Sequence, residues 1–100
     1  MPRYLIERDA PGVGQMPPRD QKATAMRAKR VLHELGPDIH WLHSYISDDK
    51  IYCVFVAANE EILYEDARRR ELPVTKISEV KEVFDPTTAE IQVSDDKVTT

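Results

Sequence analysis

The side chains in this chain that could hold a metal or move a proton are few: His33, His40, His43, Cys53, and carboxylates headed by Glu7 and Glu79. Imidazole nitrogen combined with carboxylate oxygen suits a borderline divalent ion such as nickel or zinc. The same groups act as acids and bases where their surroundings shift their pKa values. His40 and His43 look like a ligand pair, yet they stand three apart in a strand-like run. On a regular strand they point to opposite faces, so they share an ion only if a bulge re-aims one of them. His33 lies near the end of a helical stretch, where a cation meets the negative end of the helix dipole. Cys53 sits inside an apolar run with no basic neighbour in sequence, which reads as a small core residue rather than a nucleophile.

The element that must position these groups is the stretch from Ile39 to Ala57, two runs rich in β-branched and aromatic residues broken by Asp48-Asp49. That pattern predicts a β-hairpin. With Asp48 and Asp49 as the loop, Tyr45 pairs with Tyr52, His43 with Val54 and Trp41 with Val56, and the opposite face carries Leu42, Ser44, Ile46, Ile51, Cys53 and Phe55. Before the hairpin, Arg3 to Arg8 reads as a strand closed by a Pro/Gly loop. Gly12-Val13-Gly14 lacks the third glycine of a phosphate loop and is followed by Pro17-Pro18, so it reads as a turn. Ala25, Ala28, Leu32 and Leu35 then recur at helical spacing from Pro18 until Gly36-Pro37 stops them. After the hairpin, Asn59 is placed to cap a second helix that carries Ile62, Leu63 and Ala67 and ends before Pro73. A fourth strand is expected over Ile77 to Phe84.

The succession β-α-β-β-α-β predicts an α+β ferredoxin-like fold over residues 1–86, a four-stranded antiparallel sheet with both helices on one face. Residues 87–100 read as a loose tail or an added edge segment. If Tyr4 and Ile6 face the helices, Leu5 and Glu7 face the open side, and the same reasoning sends Val80 inward and Glu79 outward with Ile77. Glu7, Glu79, His43, Tyr45 and Tyr52 would then cluster, as metal ligands or as acid/base groups. Ion pairing of the two glutamates with Arg3, Arg8 or Lys81 is the structural alternative. The open face, with Trp41, Tyr45, Tyr52, Val54 and Val56, is a larger apolar patch than monomers tolerate. A second copy stacked sheet on sheet, as a dimeric α+β barrel, would cover it.

Composition narrows the functions. A formal charge of -4 argues against a nucleic-acid surface, and Arg68-Arg69-Arg70 suits the last turn of a helix. The lone Cys53, the lack of a basic-apolar leader and the lack of a spanning apolar stretch point to a cytoplasmic protein that meets no membrane.

The segments His40-Trp41-Leu42-His43-Ser44-Tyr45, Asp48-Asp49-Lys50-Ile51-Tyr52-Cys53, Ile77-Ser78-Glu79-Val80 and Asp85-Pro86-Thr87-Thr88 resemble a small bacterial domain family. That family, long described as a domain of unknown function, includes a nickel-binding protein. The resemblance runs from about Tyr4 to Thr88 and implies a ferredoxin-like homodimer with divalent metal sites built from His and carboxylates, nickel foremost. It assigns His40 and His43 to the histidine pair, Tyr52-Cys53 to the strand that follows, and Glu79 to the acidic position of strand four. In the family a His stands in a Glu-His-Ala string, where this chain reads Glu65-Asp66-Ala67, so Asp66 would offer oxygen there. Three functions follow as expectations. One is a metal-binding dimer using Glu7, His40, His43, Asp66 and Glu79. Another is a barrel enzyme moving a proton on a small hydrophobic molecule held near Trp41, Tyr45 and Tyr52. The third is a dimer without chemistry.

Overall fold

The computed structural model describes residues 1–92; residues 93–100, most of the expected tail, lie outside the described residues. Strand β1 is Arg3–Asp9, helix α1 is Pro18–Leu35, β2 is Ile39–Ile46, β3 is Lys50–Ala57, α2 is Glu60–Arg70 and β4 is Lys76–Val80. Short 3-10 helices occupy Val13–Gln15 and Pro86–Glu90. The sheet order β2-β3-β1-β4, antiparallel throughout, is that of the ferredoxin-like fold.

Local chemistry explains the boundaries. α1 starts with Pro18 in its first turn, where a missing N–H costs nothing, and ends at Gly36, whose N–H still bonds the carbonyls of Leu32 and His33 and whose φ of 90° turns the chain out of the helix. α2 is capped by Asn59, whose Oδ1 accepts from the Ile62 N–H at 3.1 Å, while Glu60 and Glu61 meet the positive end of its dipole and Arg68 to Arg70 the negative end. Asp48 and Asp49 form the hairpin loop between a Ser47 N–H and the Lys50 carbonyl it bonds at 2.9 Å. The loop after β1 clasps that turn, with Gly14 donating to the Asp48 carbonyl at 2.9 Å and Gly12 donating to Asp49 Oδ1 at 2.9 Å.

One face of the sheet and the two helices enclose the core: Tyr4, Ile6, Ile39, Cys53, Phe55, Ala57 and Leu63 are buried together, with Leu32, Leu35 and Ile62 packed against them. Burial of a side chain such as Phe55 or Leu63 contributes about 2–3 kcal/mol. Among the described residues no layer lies over the other face, and Leu5 and Tyr45 are exposed there.

Two expectations about β4 need correction. It spans Lys76–Val80 rather than reaching Phe84, because Val80 already pairs with Arg3, the first residue of β1, and the chain beyond pairs with no strand among the described residues. Its faces are also reversed. Ile77 pairs with Ile6 and Glu79 with Tyr4, so both lie on the helix side, while Ser78 and Val80 lie on the open side.

A histidine face built by a bulge in β2

From the turn inward, the hairpin keeps the expected register: Ile46 opposite Ile51, Tyr45 opposite Tyr52, Ser44 opposite Cys53 and His43 opposite Val54. The next pair is Trp41 with Phe55, then His40 with Val56. Leu42 is therefore an extra residue, a β-bulge on the sheet's outermost strand. Every residue on the N-terminal side of it changes face relative to a regular strand. This overturns the Trp41–Val56 pairing and the inward placement of Leu42, which is 45% exposed. Trp41 turns to the helix side, packs against the core, and donates from Nε1 to Ser44 Oγ at 2.9 Å.

The same bulge answers the question of the histidines. His40 and His43 are opposite Val56 and Val54, two apart on β3, so both belong to the open face. Two strand positions span roughly 7 Å, close enough for two imidazoles to approach one ion. Both side chains are exposed. The His43 ring meets the Tyr45 ring edge-on, centroids 5.1 Å apart. His40 also borders a groove at the β2 edge that is shared with His33 and Lys29.

The remaining candidates distribute unevenly. Glu7, opposite Tyr52 on the open face, accepts from Lys50 Nζ at 2.9 Å. That hydrogen bond, reinforced by the charge of Glu7, pushes the Lys50 ammonium above its ordinary pKa. Glu79 sits across the sheet from Glu7, exposed and paired with Lys81 at 2.7 Å, so the expected Glu7–Glu79 cluster does not form. Burial and the nearby Glu79 charge push the Tyr4 phenol up. Asp66 is fully buried in α2 with both carboxylate oxygens taken by Arg70, at 2.9 and 2.6 Å. Tyr45 and Tyr52 are cross-strand neighbours on the open face, whereas Trp41 lies on the other side, so the three do not line one pocket.

The donor chemistry of His40 and His43 fits a borderline ion such as nickel, but only as half a coordination sphere. Among the described residues no three His, Cys, Asp or Glu side chains converge. Arg8, expected only as an ion-pair partner for the glutamates, sits elsewhere. Arg8 is buried, 2% exposed, among the core side chains. The alternation Tyr4, Ile6, Arg8 was the signal that could have placed it there.

These features define a ferredoxin-like α+β fold with one helix-covered face and one open face bearing two histidines. The chain belongs to the family described as nickel responsive protein SCO4226-like, which matches residues 4–80. The crystal structure of SCO4226 from Streptomyces coelicolor A3(2) superposes with a TM-score of 0.68 over 82% of this chain and 99% of that one, at 13% identity, a likeness of fold. No match was found among curated proteins. No helix among the described residues is long and apolar enough to cross a membrane.

Proposed function

We propose that this chain is a homodimeric nickel-binding protein of the cytoplasm, in which two copies stack their open sheet faces and His40 and His43 supply the nitrogen ligands of each. The observation that carries this reading is the bulge at Leu42, which gives two histidines three apart in sequence a common face. The family's nickel responsiveness supports the choice of ion. The dimer is supported by the chemistry of the same surface: Leu5, Tyr45, Tyr52, Val54, Val56 and Val80, exposed or half-buried, form a broad patch that no described residue layers over, of the kind a second copy buries. A second copy also supplies the donors that one chain lacks around the ion. Glu7 and Asp9 are carboxylates on that face, both paired with Lys50, and Glu7, the nearer in register to His43, joins the ligands only by leaving it. Asp66 and Glu79 stay with Arg70 and Lys81.

Calorimetric titration of the metal-free chain with nickel tests the proposal. The expected result is saturable binding that weakens at least tenfold in both His40→Ala and His43→Ala. It should be accompanied by a rise in melting temperature, since nickel at a hundred times its Kd stabilises the folded state by about 2.7 kcal/mol. Undiminished affinity in both variants would remove the histidine face from nickel binding.

A further inference from the structure

The helix side of the sheet holds a cavity of about 240 Å³ that the nickel reading does not use. Trp41, Phe55 and Ile51 wall it from the sheet, Ala25 and Ala28 from α1. Exposed Gln21, Thr24 and Ile46 border it, giving a solute a way in. At about 30 Å³ for each water in the liquid, the space corresponds to roughly eight waters, or an organic molecule of about ten heavy atoms.

One feature of this apolar chamber is out of keeping with a plain packing defect. Arg8 lines it, and the guanidinium is satisfied on one side only: Nη1 donates to the Pro73 carbonyl at 2.9 Å, while Nε and Nη2 are buried with no acceptor among the described residues. Nε and Nη2 are the adjacent pair that forms the side-on fork of a guanidinium, the edge that receives the two oxygens of a carboxylate. Among the described residues no acidic side chain lines the cavity to fill it. Asp66 spends both oxygens on Arg70, which also lines the cavity, and the two cancel in charge. Glu7 and Asp9 belong to the opposite face of the sheet, with Lys50. Arg8 therefore leaves a net positive charge beside an apolar chamber, with two donors unpaired.

We propose that this cavity binds a small apolar monocarboxylate, an aryl or short-chain acid. Its carboxylate sits on the Nε–Nη2 edge of Arg8, which is fully buried in the ligand-free chain and turns toward the chamber to receive it, and its tail lies among Trp41, Phe55, Ala25 and Ala28. The site occupies the layer opposite the histidines, so it stands or falls independently of nickel.

Trp41 is the single tryptophan of the chain, so its emission reports on the cavity directly. The test titrates the full chain with phenylacetate and octanoate, and in parallel with the neutral phenylacetamide. Saturable change in Trp41 emission is expected for at least one acid, at least tenfold tighter than for the amide. Arg8→Met should abolish the preference for acid over amide. Arg8→Lys, which keeps the charge without the fork, should retain part of it. Ala25→Leu, which fills the chamber from α1 and leaves Arg8 untouched, should weaken both acid and amide. Equal binding of acid and amide, absence of binding by both acids at millimolar concentration, or undiminished acid preference in Arg8→Met would each overturn the proposal.

Discussion

Arg8→Met should make the ligand-free protein more stable, although it removes a buried side chain that bonds the backbone. The substitution deletes the Nη1 bond to the Pro73 carbonyl, and a bond from a charged donor contributes about 1.5–3 kcal/mol. Pro73 is exposed, so its carbonyl recovers part of that from water. Against this loss stand Nε and Nη2, two buried donors without acceptors, each costing about 1–3 kcal/mol while they stay unpaired. Methionine follows the same unbranched path through the core and brings no polar atom that needs a partner. The balance favours the variant by about 1–2 kcal/mol, in line with the behaviour of other buried charges replaced by apolar side chains. For a domain of this size that raises the melting temperature by about 5–10 °C. Thermal and urea unfolding of the metal-free chain, followed by circular dichroism, measures it. A melting temperature lowered by several degrees would mean that Arg8 is a structural residue whose contacts outweigh its burial, and the reasoning would fail.

Three further outcomes follow from the geometry. A β-carbon on Gly14 would lie 2.8 Å from the Asp48 Cα and 2.9 Å from the Ser47 carbonyl oxygen, both backbone atoms, so Gly14→Ala should destabilise by about 1–3 kcal/mol; an unchanged urea midpoint would contradict it. Because Glu7 raises the Lys50 pKa in the folded chain, the stability this pair contributes is complete below the unfolded value of about 10.4 and declines as pH climbs through the folded one; urea midpoints between pH 9 and 12 should fall less steeply in Lys50→Met. Val54→Asp puts a charge in the middle of the open face and should shift sedimentation equilibrium from dimer to monomer while leaving the helix-side core intact; an undisturbed dimer would place the interface elsewhere.

The element order was legible because its signals are local. Gly36-Pro37 ends a helix, Asn59 caps one and Asp48-Asp49 turns a hairpin, whatever surrounds them. Inward-facing Tyr4 and Ile6 could be read from alternation alone. Faces failed where alternation failed. An extra residue at Leu42 leaves no mark in composition, yet it exchanges Trp41 for His40 on the open side. A bulge was the stated condition for His40 and His43 to share a face, but only the ladder of β2 on β3 reveals that it is met. Glu79 was assigned to the wrong side because β4 has mixed alternation, and its register is set by β1, not by its own residues. The burial of Arg8 is illegible for a different reason: charged residues are so seldom buried that its charge points to an exposed ion pair, even though alternation places it in series with Tyr4 and Ile6.

Nickel K-edge X-ray absorption of the loaded chain, compared with a His40→Ala/His43→Ala double variant, tests the histidine face most directly. The account predicts outer-shell scattering from imidazole rings in the wild-type spectrum and its loss in the double variant. An all-oxygen shell in the wild type, or imidazole scattering that survives both substitutions, would contradict it.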